Sequence, residues 1–489
     1  MSPRASSNPD VALIEAAFDR KRQDLGVRTT FPDEVQRAAE AAAKRDPAAV
    51  PGRVDRTEVP FVTIDPPGSR DLDQALRIER GGDGFRVWYA IADVGFWVER
   101  GGPIEAEAWQ RGVTFYAPDR RHSLYPPVLS EGAASLLPDA AKPAILFVFD
   151  LDARAEIVTA KVERALVRSR AQLTYQQVLE DVASGGKRFG GEPWGDSLPA
   201  LKAFGELRRE REVERGGVSL PILGQHVQRT TAASLGYELE YEKPSASEDW
   251  NSHVSLLTGH LAAVRMIEAK VGIVRVLAPA EEDAVRTFRR VARALGFPWP
   301  PAMTYAEFIR SLDLSKPNVA PLVWQAKRVS RGADYVAFDG EPPADPVHHA
   351  LAMLYAHCTA PLRRLADRYV LDLVADLEEG RQPSPEARAT LPKVAARMNE
   401  AETRGARLER GAVDVAEAWL LRERVGERFN AIVLGMRDGK VEVQIENPPV
   451  RADVKRGENA RWLDLGEPVS VTLASVKVEE GKTIFELAE

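Results

Sequence analysis

With 489 residues, 44% of them hydrophobic and 28% charged, the chain has the composition of a globular protein and not of a disordered one. Its length suggests about three domains. Sixty-six Lys and Arg against 73 Asp and Glu give a formal charge of -7, which excludes a surface coated throughout for nucleic acid but leaves room for a local basic channel. The single cysteine, Cys358, excludes an intramolecular disulfide and a cysteine-based zinc cluster. Residues 1–10 show no secretory signal, and no apolar run approaches the roughly 18 residues of a membrane span. A cytoplasmic, monomeric protein with no membrane partner is expected.

Residues 1–55 read as a helical appendage. Val11, Leu13, Ile14, Ala17 and Phe18 lie near a helical stripe. The Ala-rich stretch Glu34–Lys44 follows Pro32, which suits a helix start, and Pro47, Pro51 and Gly52 then break the chain. Two such helices are compatible with a helix-turn-helix or with an arm packed on the main domain. Residues 56–424 read as that main domain. Strands are expected at Val59–Ile64, at Arg77–Arg80 and Phe85–Ala92 around Gly81-Gly82-Asp83-Gly84, at Ala144–Phe149 and at Ile157–Leu166. Helices are expected at Tyr175–Val182, Pro199–Glu214, Asp249–Lys270, Ala280–Leu295, Ala350–Leu377 and Pro392–Arg424, the last interrupted at Gly405 and Gly411. The mixture predicts an α+β fold. Residues 425–489 return to strands at Phe429–Leu434, at Val441–Ile445 after the turn Asp438-Gly439, at Val469–Leu473 and at Thr483–Leu487. About five strands in roughly 65 residues fit a barrel of the oligonucleotide-binding (OB) type.

The stretch Phe61-Val-Thr-Ile-Asp65-Pro-Pro-Gly-Ser-Arg-Asp71-Leu-Asp73-Gln74 carries the chemistry. An apolar strand delivers Asp65, a Pro-Pro-Gly-Ser loop reverses, and Asp71 and Asp73 follow at alternate positions, which puts both on one side of extended backbone. Converging carboxylates repel unless a cation joins them, and hard oxygen ligands suit magnesium or manganese. Phosphoryl transfer is the chemistry that uses such a site. A solvated acidic turn has the same spacing.

Thr63-Ile64-Asp65, Arg70-Asp71-Leu72-Asp73 and Ala90-Ile91-Ala92-Asp93-Val94 together resemble the catalytic domain of the ribonuclease II and ribonuclease R family. The likeness continues through Arg111 to Arg120, Leu129-Ser130-Glu131-Gly132, Ser169 to Tyr175, and Tyr355 to Arg364. The family implies a processive hydrolytic 3′-to-5′ exoribonuclease that releases nucleoside 5′-monophosphates and needs a divalent metal, with the C-terminal barrel binding RNA. By position, Asp65, Asp71 and Asp73 match three of its four metal-site aspartates. Arg363 matches an arginine near the scissile phosphate, Tyr116 an aromatic that stacks on the terminal base, and Tyr175 a tyrosine of RNA recognition. Arg120, Thr359 and Arg364, in the same motifs, and Ser252 are expected RNA contacts, with single-stranded RNA 3′ ends, or structured RNA with a 3′ overhang, as the partner.

The sequence departs from the family at several points. The fourth aspartate is Gln74, which keeps a ligand oxygen without the charge. A helix glutamate falls on Ser252, the second aromatic of the base clamp falls near Leu220, and the family's pair of N-terminal cold-shock barrels is expected to be absent. Gln74 and Ser252 motivate two rival readings, an RNA-binding protein with a decayed site and a nuclease with relaxed sugar choice. A thiol nucleophile at Cys358 is disfavoured, because the arginines nearby fit phosphate better.

Overall fold

The computed structural model describes residues 9–218, 224–229, 236–242, 245–314, 316, 319–329, 332–437, 440–445, 447–448, 450–455 and 463–488. At its centre is a seven-stranded mixed sheet in the order Val54–Asp55, Ile157–Val167, Lys142–Leu151, Gly84–Ala92, Gln74–Gly81, Phe61–Asp65, Ser169–Thr174. The inner strands are near-continuous apolar runs, not alternating ones: Ala144 to Phe147 and Tyr89 to Ala92 are all buried. Both faces of the sheet are therefore covered. The expected hairpin is present as Gln74–Gly81 against Gly84–Ala92, with Gly81 paired to Gly84 and Gly82 at φ 58°, a left-handed turn position that favours glycine.

Two neighbours in this sheet set the site. Strand Phe61–Asp65 runs parallel to Ser169–Thr174, in a register that places Asp65 beside Thr174. Thr174 caps the helix Tyr175–Ala183 through a reciprocal pair with Gln177. Asp65 and Tyr175 thus emerge at the same sheet edge because two parallel strands end together.

Most expected elements are present within a few residues, including helices Ser197–Glu214, Ala246–Glu268 and Glu282–Ala294. Residues 350–377, expected as one helix, are a correction. Helix begins only at Leu365, and before it lie short strands Val347–His348 and Met353–Leu354 and an irregular segment around Pro361. Proline has no N–H and clashes with the turn before it, and the backbone N–H groups of Ala360 and Leu362 are taken by buried carboxylates. The long C-terminal helix is uninterrupted from Pro385 to Leu421. At Gly411 a Cβ would lie 3.3 Å from Lys21, so the missing side chain leaves room for a neighbour and marks no break.

The N-terminal helices are Pro9–Asp24 and Asp33–Ala42. Their buried faces belong to different clusters. Val35, Ala39 and Ala42 join the main core, whereas Val11, Ile14, Ala17 and Phe18 pack with Tyr237, Ala412, Val415, Ala416 and Trp419. They are therefore not joined in the common core of a helix-turn-helix. At the C-terminus five strands, Arg428–Arg437, Lys440–Ile445, Arg451–Lys455, Pro468–Lys477 and Lys482–Leu487, close into a barrel. The turn residues Asp438 and Gly439 lie outside the described residues.

Candidate active site

Asp73 is the most deeply held carboxylate. It is 4% exposed, accepts a hydrogen bond from the Leu362 N–H at 2.7 Å and lies 3.3 Å from Arg363 Nε. Burial pushes its pKa up to about 7, against the favourable pull of Arg363 and the Leu362 N–H. Asp65 is likewise raised to about 7, by burial first and the Asp71 charge second. Its Oδ2 is buried with no hydrogen-bond partner. The loop between the two is pinned from behind: the Ser135 hydroxyl donates to the Arg70 carbonyl and accepts from the Leu72 N–H, and the Leu136 N–H donates to the Leu72 carbonyl.

Asp71 faces Arg121, whose guanidinium donates to it at 2.5 Å and to Glu131 at 2.8 Å. Gln74 turns its amide nitrogen to the Thr359 carbonyl, a bond that the shorter, anionic aspartate could not make. Thr359 is buried and presents only backbone to this bond. Segment 359–365 is fixed by edge pairing as well: the Thr114 N–H donates to the Arg363 carbonyl and the Leu365 N–H to the Gly112 carbonyl. A Cβ at Gly112, which is at φ 78°, would meet Ala401 at 2.5 Å. Arg363 therefore projects from a rigid backbone, its side chain 42% exposed.

Tyr116 sits on the small hairpin Phe115–Tyr116/Arg121–His122. It is 42% exposed and lies within electrostatic reach of Arg363, Asp71 and Asp73. Tyr175 lies on the other side, close to Asp65, Arg363 and Asn251, its hydroxyl pushed up to about 12 by burial. The structure thus brings Asp65, Asp71, Asp73, Gln74, Tyr116, Tyr175 and Arg363 together.

Three expected RNA contacts are turned elsewhere. Arg364 is spent on buried Asp367, which it grips through Nε and Nη2 at 3.0 and 2.8 Å. Asp367 would otherwise be an uncompensated buried charge. Arg120 pairs with Asp19 of the N-terminal helix, so its strand neighbour Arg121 is the arginine that points at the carboxylates. Ser252 is exposed and donates to the Asp249 carbonyl of its own helix; Asn251, one residue earlier, is the side chain on Tyr175. Leu220 lies outside the described residues. Cys358 is fully buried and its thiol is pushed up by that burial, opposite to what a nucleophile needs.

An all-oxygen donor set with one orphaned, buried carboxylate oxygen fits a hard cation. Among the described residues no three His, Cys, Asp or Glu side chains already stand grouped around a metal position, because Asp71 is turned to Arg121 and Asp73 to Arg363.

Residues 53–379 match the RNB domain family, and residues 427–488 match the RNase II-type exonuclease C-terminal S1 domain. The chain belongs to the RNB domain family. Among curated relatives, ribonuclease R of Escherichia coli is 25% identical over 95% of this chain and 62% of its own length. Ribonuclease R of Aquifex aeolicus is 25% identical over 99% and 71%, and the human exosome complex exonuclease RRP44 is 25% identical over 66% and 34%. The chain thus spans 62% of the length of the Escherichia coli enzyme. The fold is similar to that of apo Mycoplasma genitalium RNase R, with a TM-score of 0.84 at 19% identity over 99% of this chain and 79% of that one. It is also similar to yeast Ssd1, a pseudonuclease, with a TM-score of 0.71 at 15% identity over 96% and 59%.

Proposed function

We propose that this RNB-family protein is a monomeric, processive 3′-to-5′ exoribonuclease that hydrolyses RNA to nucleoside 5′-monophosphates in the cytoplasm. The observation that carries the reading is the placement of Arg363. A half-exposed guanidinium on clamped backbone stands 3.3 Å from a buried carboxylate, with the exposed ring of Tyr116 beside it. A phosphate entering there meets a cation, and its terminal base meets an aromatic face that any base can stack on.

Asp65, Asp71 and Asp73 would hold a divalent cation, magnesium or its substitute manganese. When bound, the cation supplies charge neutralisation at the reacting phosphate. The protein's own residues do the remainder. The Leu362 N–H and Arg363 hold Asp73 as an acceptor facing the phosphate. Arg121 and Glu131 set Asp71, and Arg363 is placed to stabilise charge that develops on the phosphoryl oxygens. Tyr175 borders the nucleotide beside Asp65.

The substrate is single-stranded RNA with a free 3′ end, and duplexes with a 3′ overhang are digested in part. A similar solved structure is titled as Mycoplasma genitalium RNase R in complex with double-stranded RNA. The alternative is an RNA-binding protein with a weakened site. Gln74 favours it, being tied to Thr359 where the resemblance expects a fourth carboxylate.

The test is 5′-end-labelled RNA and matched DNA incubated with magnesium. The exonuclease reading expects shortening from the 3′ end and 5′-mononucleotides from RNA alone. Tight RNA binding without products supports the alternative, and equal digestion of DNA shows relaxed sugar choice.

A further inference from the structure

The hairpin that carries Tyr116 has two residues in each strand, too few to hold a geometry unaided. Its inward residues Phe115 and His122 are buried, which fixes its base. Its tip is held from outside. Arg22, on the N-terminal helix and 1% exposed, donates to both oxygens of Asp119, whose side chain is 9% exposed. The other Nη of Arg22 donates to Asp19 at 2.7 Å, and Asp19 also accepts from Arg120. Two acids and two arginines thus interlock the helix with the loop 117–120. Nη2 of Arg22 reaches both Asp119 oxygens while Nη1 is taken by Asp19, and a water-excluded pair of this kind tolerates fewer geometries than an exposed one.

The helix can act as a fixed point because its own position is over-determined. Val11, Ile14, Ala17 and Phe18 bury one face against Trp419, Val415 and Tyr237, with the Phe18 and Tyr237 rings edge-on at 5.5 Å. Lys21 passes Gly411 and donates to the Glu480 carbonyl of the C-terminal barrel at 2.7 Å. One helix therefore touches both the barrel and the tip of the aromatic hairpin.

We infer that Arg22 is a positioning residue, holding the Tyr116–Arg121 hairpin through Asp119 so that the seat for the substrate's terminal nucleotide is set by the N-terminal helix. This rests on the exoribonuclease reading. The movement of the hairpin can be followed without any activity, so the two can fail separately.

The experiment uses the full chain with Arg22→Met, Asp119→Asn, the double variant and Arg22→Lys. Hydrogen–deuterium exchange is followed on peptides covering 114–122 and, as a control, 142–151. Michaelis parameters are measured on single-stranded RNA. Arg22→Met and Asp119→Asn should each speed exchange in 114–122 and leave 142–151 unchanged. Each should raise KM about tenfold with kcat within about twofold. The double variant should be no worse than either single change, and Arg22→Lys should recover part of the KM. Unchanged exchange in 114–122 overturns the inference. Equal loosening of 142–151, or a fall in kcat with KM unchanged, also overturns it by making Arg22 merely structural. If the wild type leaves RNA intact while the hairpin still loosens in the variants, the exoribonuclease reading fails and the mechanical link stands.

Discussion

The acidic loop from Asp65 to Gln74 and the aromatic hairpin from Phe115 to His122 face each other across Arg363, and they are held by unlike means. The loop hangs between two strands of the central sheet. Ser135 and Leu136 bond its backbone and Leu362 bonds the Asp73 carboxylate, all from the main body, while Asp71 reaches across to Arg121 at the base of the hairpin. The hairpin is held at its base by Phe115 and His122, but its tip depends on an ion pair with a helix 97 positions earlier in sequence. The comparison suggests a division: the groups proposed for the chemistry are rigid by their own fold, whereas the groups proposed for grip are held by a neighbour. Substitutions in the loop should therefore change turnover, and substitutions at Tyr116 or the hairpin tip should change binding.

The largest effect is expected at Asp73. Asp73→Asn keeps the acceptor for the Leu362 N–H but removes charge from the cation site, and turnover should fall by about three orders of magnitude or more with RNA affinity nearly unchanged. Full activity in this variant would remove the assignment. Arg363→Ala should lower kcat by about a hundredfold with a smaller change in affinity, because its charge is proposed to act on the transition state. A change confined to KM would move Arg363 to the grip side of the comparison.

Gln74 gives a subtler contrast. Its amide ties the loop to Thr359, so Gln74→Asp should lower kcat severalfold by loosening the segment that carries Arg363. The magnesium needed for half-maximal activity should change less than about twofold. A large drop in that requirement would show that position 74 is a ligand and that the wild-type site is weakened by the amide.

The smallest effect concerns stability. Asp65 and Asp73 titrate near 7 in the folded protein but near 3.9 when unfolded. The folded state therefore binds their protons more tightly, and ionising them erodes stability as pH rises from about 4 to about 7. Metal-free Asp73→Asn should melt a few degrees above wild type at pH 8, with the gap narrowing as the pH falls to 5. Added divalent cation should raise the melting temperature of wild type more at pH 8 than at pH 5. A gap that is constant across this range would mean that Asp73 is not held against ionisation.

Much of the acidic loop was legible because its information is local. A strand, a Pro-Pro-Gly-Ser reversal and alternate aspartates specify where the carboxylates go, and parallel pairing with Ser169–Thr174 adds Tyr175. What was not legible depends on distant partners. Nothing around Arg22 announces Asp119, and nothing around Arg121 distinguishes it from Arg120, since the choice follows from which face of a two-residue strand meets Asp71. The irregular segment before Leu365 was hidden by the expected helix through 350–377. Pro361 was the signal against that helix, and the buried carboxylates that take the flanking N–H groups explain why the segment stays irregular. The barrel strand Arg451–Lys455 was missed because its charged outer positions mask a buried Ala452 and Val454.

The division between chemistry and grip is tested most directly by measuring affinity and single-turnover rate for Asp73→Asn and Tyr116→Ala on the same single-stranded RNA with saturating magnesium. Asp73→Asn should bind like wild type and cleave hardly at all. Tyr116→Ala should bind about tenfold more weakly, from the loss of one stacked base, yet cleave at nearly the wild-type rate once saturated. The opposite pattern, weakened binding in Asp73→Asn or a lost rate with intact binding in Tyr116→Ala, would contradict it.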